Sequence, residues 1–163
     1  MNIPEELKQL PQWVCRKRKI PFNPVTGAPA KAGQPKTWSK FKVAMNALDG
    51  GGYDGIGFEF NNNGIVGIDL DHVIAENGSL SDEAVGIVAM LDSYTEYSHS
   101  GKGLHIFVKG DIPVDGRKKG FIEMYKAKRY FTMTGNVYGD LKHINERTEQ
   151  VMQIFNRYFT NPV

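Results

Sequence analysis

The sequence predicts an α+β domain built on a mainly antiparallel sheet with flanking helices. Three features support this. The predicted elements run helix, hairpin, helix, several strands, helix; there is no internal repeat or low-complexity segment; and the 163 residues suit one ordinary domain. At this length folding hides roughly two-thirds of the surface of the unfolded chain, enough for a core without disulfides or a structural metal.

The elements follow in chain order. Pro21 to Pro35 holds four prolines and two glycines without an apolar period, so it reads as turns and an ordered loop, too short for a linker between domains. Phe41, Ala44, Met45 and Leu48 recur at helical spacing, with Ser39 as cap and Gly50 to Gly52 as stop, which predicts a helix over 40–48. GIGFEF and IVGIDLDHVI flank Asn61-Asn62-Asn63-Gly64, residues that tolerate positive φ, and together predict a β-hairpin. A second helix is expected from Asp82 to Leu91, capped by Ser81, with Ala84, Val85, Val88 and Leu91 inward. LHIFVKG, FIEMY and RYFTMTG read as strands. From Asn145 to Phe159, Val151, Ile154, Phe155, Tyr158 and Phe159 share one helical face and predict a C-terminal helix.

Charge and cysteine usage narrow the function classes. Twenty Lys and Arg against eighteen Asp and Glu leave +2, which excludes the strongly basic, histone-like route to nucleic acid. Two local blocks stand out: Arg16, Lys17, Arg18 and Lys19, then Arg117, Lys118, Lys119, Lys126, Lys128 and Arg129. Each fits either a solvated surface or a polyanion contact. A lone Cys15 gives no internal disulfide and no cysteine-rich zinc site, so a reducing compartment is expected. No apolar run nears the ~20 residues of a membrane span, and Met1 to Leu10 is unlike a signal peptide, so a cytoplasmic protein is expected.

The chemistry gathers on the strands. Because side chains alternate, Val66, Ile68 and Leu70 share one face of IVGIDLD while Asp69 and Asp71 share the other, with α-carbons roughly 6.5–7 Å apart. By the same alternation His105 opposes Leu104, Ile106 and Val108, and Glu123 opposes Ile122 and Met124. If these strands form one sheet, Asp69, Asp71, His105 and Glu123 meet on its uncovered face. Adjacent carboxylates are costly to desolvate without a cation. Oxygen-only donors suit Mg²⁺ or Mn²⁺ rather than zinc. Ser98 to Gly103, a glycine-bearing turn, offers backbone N–H groups and the Lys102 ammonium to phosphate, although the P-loop spacing is absent. Arg129, Thr132, Thr134 and Gly135 add a forked cation and hydroxyls suited to a triphosphate, although Arg129 equally fits a surface arginine. The sum points to phosphoryl or nucleotidyl transfer by a two-metal scheme.

GIVGIDLDH, SGKGLHIFVKG and FIEMYKAKRYFTMTG, preceded by PFNPVTG, TWSKF and YDGIGFEF, resemble the primase-polymerase domain of the archaeo-eukaryotic primase superfamily, in its phage and mobile-element form. The match covers about residues 12–135, in order. It implies a modified RNA-recognition-type sheet and one catalytic domain over 1–163, with an N-terminal α/β subregion to about 60, a catalytic core over about 61–140 and a helix over about 145–159. It implies that Asp69, Asp71 and Glu123 are catalytic and bind Mg²⁺ or Mn²⁺. Ser100, Gly101, Lys102, Gly103 and His105 then form the second motif, longer here than the short S-x-H pattern, with His105 on the incoming nucleotide's phosphates. Arg129 and Thr134 complete the nucleotide contacts. The expected partners are nucleoside triphosphates and a DNA template or primer gripped by Arg16, Lys17, Arg18, Lys118 and Lys119. A helicase or primase-specific helical region is expected as a separate element, and the setting is the cytoplasm of a bacterial or phage-infected cell.

Two other functions fit parts of the pattern. One is a replication-initiator nuclease, which needs a metal-binding histidine pair and a nucleophilic tyrosine, where the sequence offers His99 and His105 but no His-x-His. The other is an inactive single-strand-binding module, which leaves three acids facing a polyanion. Trp38, Phe41 and Tyr53 read as base stackers or as core.

Overall fold

The computed structural model describes residues 1–160; the last three residues of the expected 1–163 domain lie outside them. In chain order the elements are α1 (Glu5–Lys8), β1 (Trp13–Lys17), β2 (Ile20–Phe22), α2 (Phe41–Asp49), β3 (Gly55–Asn61), β4 (Ile65–Leu70), α3 (Asp82–Leu91), β5 (Thr95–Tyr97), β6 (Leu104–Lys109), β7 (Gly116–Lys119), β8 (Ile122–Tyr125), β9 (Ala127–Met133) and α4 (Thr148–Phe159). The α+β class and the antiparallel pairing of the strands hold.

The strands build two sheets rather than one: a four-stranded sheet ordered β2-β1-β3-β9 and a five-stranded sheet ordered β5-β6-β4-β8-β7. The expected hairpin over 55–70 is therefore corrected. β3 pairs with β1 and β9, while β4 pairs with β6 and β8, so Asn61 to Gly64 is an arch that carries the chain from one sheet to the other. The reason lies in β4 itself, which buries Val66, Ile68 and Leu70 on one face and Ile65 and Gly67 on the other and so needs cover on both. Val66, Ile68 and Leu70 pack under α3 and α4 with Ile87, Leu91, Val151 and Phe155. On the other face Gly67 lets the second sheet approach: a Cβ there would lie 2.2 Å from the Phe60 ring and 2.6 Å from the Phe131 ring. Phe58, Phe60, Phe107 and Phe131 fill the space between the sheets with edge-to-face and stacked contacts. The result is three layers, helices over one sheet over another.

The helices largely match expectation. Ser81 Oγ accepts from the Ala84 N–H at 3.2 Å, closing the N-terminus of α3. Val85 is exposed, however, and Ile87 takes its place in the core, because α3 meets the sheet along the Ala84–Ile87–Leu91 line. Lys40, not Ser39, precedes α2; Ser39 instead exchanges backbone hydrogen bonds with Trp13. The C-terminal helix begins at Thr148 rather than Asn145 and buries Val151, Ile154, Phe155 and Phe159. The start of the proline-rich stretch pairs as β2, and the rest folds back so that Ala30 and Trp38 cover Val14 on the outer face of the four-stranded sheet. Trp38 is buried and its indole donates to Lys31 O, while half-buried Phe41 packs edge-on against Trp13, so both serve the core.

Candidate active site

Register aligns the sequence-predicted acids and histidine across the five-stranded sheet. Glu96 on β5 pairs with His105 on β6, His105 with Asp69 on β4, Asp69 with Glu123 on β8, and Glu123 with Lys118 on β7. One transverse row of titratable side chains thus crosses every strand of the sheet, all on the face opposite α3 and α4. That face is not uncovered, as the single-sheet expectation had it: the four-stranded sheet lies against it, and the row opens where the two sheets part. Hence His105, Glu123 and Glu96 are buried, Asp69 keeps 19% of its side-chain exposure, and Asp71, just past the strand end, keeps 49%.

His105 is held on three sides. Its ring stacks on Phe131 with centroids 4.6 Å apart, Nδ1 donates to the Thr132 carbonyl at 3.3 Å, and Nε2 lies 3.5 Å from Asp69 Oδ1. That leaves Nε2 without the proton in the neutral ring. Burial dominates its acid–base behaviour and brings its pKa down to about 4. Asp69 moves the other way, up to about 7. Burial is the main cause, reinforced by the Glu123 and Asp71 charges and a hydrogen bond to Glu123, with Arg129 opposing.

Glu123 is turned toward donors. Tyr125 donates to Oε1 at 2.7 Å, Arg129 Nη2 lies 3.5 Å from the same oxygen, and Lys118 Nζ lies 3.8 Å from Oε2. Arg129 also covers the Tyr125 ring at 4.9 Å. Arg129 therefore belongs to the site rather than to bare surface. Sequence reasoning missed Tyr125; its two-residue spacing from Glu123 on the same strand was the available signal.

Asp69, Asp71 and Glu123 supply the oxygen-only donors that suit Mg²⁺ or Mn²⁺, and their mutual repulsion, visible in the raised Asp69, is what a divalent cation relieves. Among the described residues no three His, Cys, Asp or Glu side chains already close on a common point. By donor chemistry the three carboxylates could hold such an ion, but Glu123 is buried and turned to Tyr125, Arg129 and Lys118, and only Asp71 is half-exposed.

The second-motif turn borders this row. Ser98 Oγ accepts from the Gly103 N–H at 3.1 Å, Ser100 Oγ accepts from the Lys102 N–H at 3.2 Å, and Gly101 takes φ +75°. Gly103 passes so close to the end of β4 that a Cβ would lie 2.4 Å from Leu70 O. The Lys102 carbonyl accepts from the Val73 and Ile74 N–H groups, which fixes the turn beside Asp71 while Ser100, Gly101 and Lys102 remain exposed. Thr134 lies at the far side with its N–H and hydroxyl both turned to Glu96.

The basic residues separate. Arg16 is buried: Nη1 donates to Arg18 O at 3.1 Å and Nη2 meets His99 Nδ1 at 3.4 Å, so it braces the fold instead of facing solvent. Lys17 is exposed over the Phe22 and Tyr53 rings, and Arg18 is exposed with its N–H on Asp54 Oδ2. Lys118 and Lys119 are exposed and, one position apart on β7, face opposite sides; Lys118 shares the Glu123 side. Among the described residues no helix is long and apolar enough to cross a membrane.

No protein-family model matches the chain. The chain is similar to a protein of Nitratiruptor phage NrS-1 named DNA primase-polymerase, 36% identical over 160 residues that cover 90% of this chain and 22% of that relative. The chain thus spans about a fifth of the length of the curated relative it matches. The resemblance to phage-type primase-polymerases carried by the three motifs therefore holds along nearly the whole chain.

Proposed function

We propose that this chain, similar to a phage primase-polymerase along nine-tenths of its length, is a template-directed nucleotidyltransferase that builds or extends primers from nucleoside triphosphates, on an archaeo-eukaryotic primase-type core. The observation that carries the proposal is the register: Asp69 stands directly between His105 and Glu123, the three residues that the motif resemblance assigns to chemistry.

In this reading Asp69, Asp71 and Glu123 would hold Mg²⁺ or Mn²⁺. When bound, the ions supply charge neutralisation at the triphosphate and lower the pKa of the attacking 3′-hydroxyl. The chain's own residues do the rest. Arg129, held over Tyr125, presents a planar fork to the phosphates, and Lys102 presents a point charge from the opposite side. His105 meets the substrate as a neutral ring whose Nε2 faces the Asp69 side; phosphate charge arriving there favours the protonated ring, which turns Nε2 into a donor. The two apolar layers keep water from the buried half of the row. Lys17, Arg18, Lys118 and Lys119 are the exposed cations for the template or primer backbone, where contacts are salt-sensitive.

Primer extension with labelled nucleotides and Mn²⁺ or Mg²⁺ tests this. Incorporation by the wild type, and its loss in Asp69→Ala and Asp71→Ala with the fold intact, is the expected result; unchanged incorporation by either variant overturns the assignment. A covalent protein–DNA adduct would favour the nuclease instead.

A further inference from the structure

Glu96 was not singled out by the sequence, yet it ends the transverse row on the His105 side. It is 0% exposed, and four donors converge on its carboxylate. Oε1 accepts from Tyr94 Oη at 2.7 Å and the Gly135 N–H at 3.2 Å; Oε2 accepts from the Thr134 N–H at 2.7 Å and lies 2.9 Å from the Thr134 hydroxyl, whose single proton also has the Tyr97 carbonyl within reach at 3.1 Å. Burial pushes its carboxyl upward, and these donors act against that shift by stabilising the anion. A buried carboxylate is expensive to keep where a neutral side chain would pack.

What Glu96 holds explains its place. Thr134 and Gly135 follow directly on β9, the strand that supplies both the Thr132 carbonyl accepting from His105 Nδ1 and the Phe131 ring stacked on the imidazole. β9 belongs to the four-stranded sheet and β5 to the five-stranded one, so the Glu96 carboxylate ties the two sheets together at the end where the site opens.

We propose that Glu96 is a positioning residue: by clamping the 134–135 turn it sets the Thr132 carbonyl against Nδ1, fixing the His105 tautomer with a free Nε2 aimed at Asp69 and the incoming phosphates. The proposal rests on the nucleotidyl-transfer reading for its catalytic consequence, but its structural content, the tautomer, is readable without turnover.

Glu96→Gln tests it, because an amide presents N–H groups where Thr134 and Gly135 also present N–H groups, so one donor contact becomes a clash. Thr134→Val is the milder companion, removing one hydroxyl and leaving the backbone donors; Glu96→Asp keeps the charge. Ring ¹⁵N shifts of His105 in full-length protein report the tautomer, and primer extension separates KM for the nucleotide from kcat. The expected outcome is loss of the pure Nδ1–H pattern in Glu96→Gln. It is accompanied by a KM rise of about 10- to 150-fold, the equivalent of one lost hydrogen bond to a charged group, with primer–template affinity unchanged. Thr134→Val shifts both in the same direction by less, and Glu96→Asp restores part of each. A tautomer and KM that stay at wild-type values in folded Glu96→Gln overturn the proposal. If that variant does not fold, wild-type values in Thr134→Val overturn it. A purely structural role lowers the melting temperature with the tautomer unmoved and also overturns it. A wild type that incorporates no nucleotide refutes the nucleotidyl-transfer reading, while the ring shifts still decide the role of Glu96.

Discussion

Asp69 and Glu123 face each other across adjacent antiparallel strands, and burial together with the Glu123 charge favours the protonated form of Asp69. With Asp69 held near 7, against 3.8 for the ordinary side chain, the folded protein binds a proton that the unfolded chain has released between about pH 4 and 7. Stability from this group is therefore full below about pH 4 and falls as pH rises to about 7. Asp69→Asn removes the effect because its amide does not ionise. In chelator-treated protein it should match the wild type at acid pH and exceed it at pH 8 by on the order of 2–4 kcal/mol, while abolishing nucleotide incorporation. Thermal unfolding at the two pH values checks the first part and primer extension the second.

Divalent ions should act on the same carboxylates from solution. Mn²⁺ at 100 times its dissociation constant is expected to stabilise the wild type by about 2.7 kcal/mol. Asp69→Asn and Asp71→Asn should each lose most of the gain. A melting temperature insensitive to Mn²⁺ in the wild type contradicts the donor set.

His105 and Arg129 should separate nucleotide binding from DNA binding. His105→Ala and Arg129→Gln are each expected to raise the nucleotide KM about tenfold, the order of one charge-assisted contact, while fluorescence anisotropy on primer–template stays unchanged. Arg129→Lys should not rescue, because an ammonium, although it can lie over an aromatic ring as Lys17 does, cannot fork toward phosphate as guanidinium does.

Glu59 offers a control outside the site. It is fully buried on β3 with neither carboxylate oxygen hydrogen-bonded, and burial lifts it from 4.5 to about 7. Its ionisation destabilises the fold progressively from about pH 4.5 to 7. Glu59→Gln should remove about 3 kcal/mol of that pH dependence and leave nucleotide incorporation intact, as paired denaturation curves at pH 5 and 8 would register.

Much of the site was legible because strand alternation is strict. Placing Asp69, His105 and Glu123 on the side opposite Ile68, Ile106 and Met124 needs only a period of two, and the structure keeps that arrangement. Sheet membership was harder to read. Asn61 to Gly64 permits a hairpin and an arch alike; the clue was Gly67, a glycine amid an apolar run, which marks close approach by another layer. Glu96 escaped because β5 has only three residues, and Lys118, read as a template contact, was not placed beside Glu123 because β7 reads as a basic surface segment rather than a strand. Arg16 looked solvated by composition, and only the turn at Arg18 and the nearby His99 explain its burial.

The pairing of β9 with β3 joins two stretches far apart in the chain, and the arch at 61–64 sends the intervening strand to the other sheet. The four-stranded sheet thus cannot be completed from one contiguous stretch of polypeptide, because all five strands of the other sheet, residues 65–125, are inserted between β3 and β9. Such interleaved topology predicts slow, all-or-none folding governed by distant contacts. A fragment starting at residue 61 would leave β9 without its neighbour and Phe131 bare, and should aggregate rather than form an independent catalytic half.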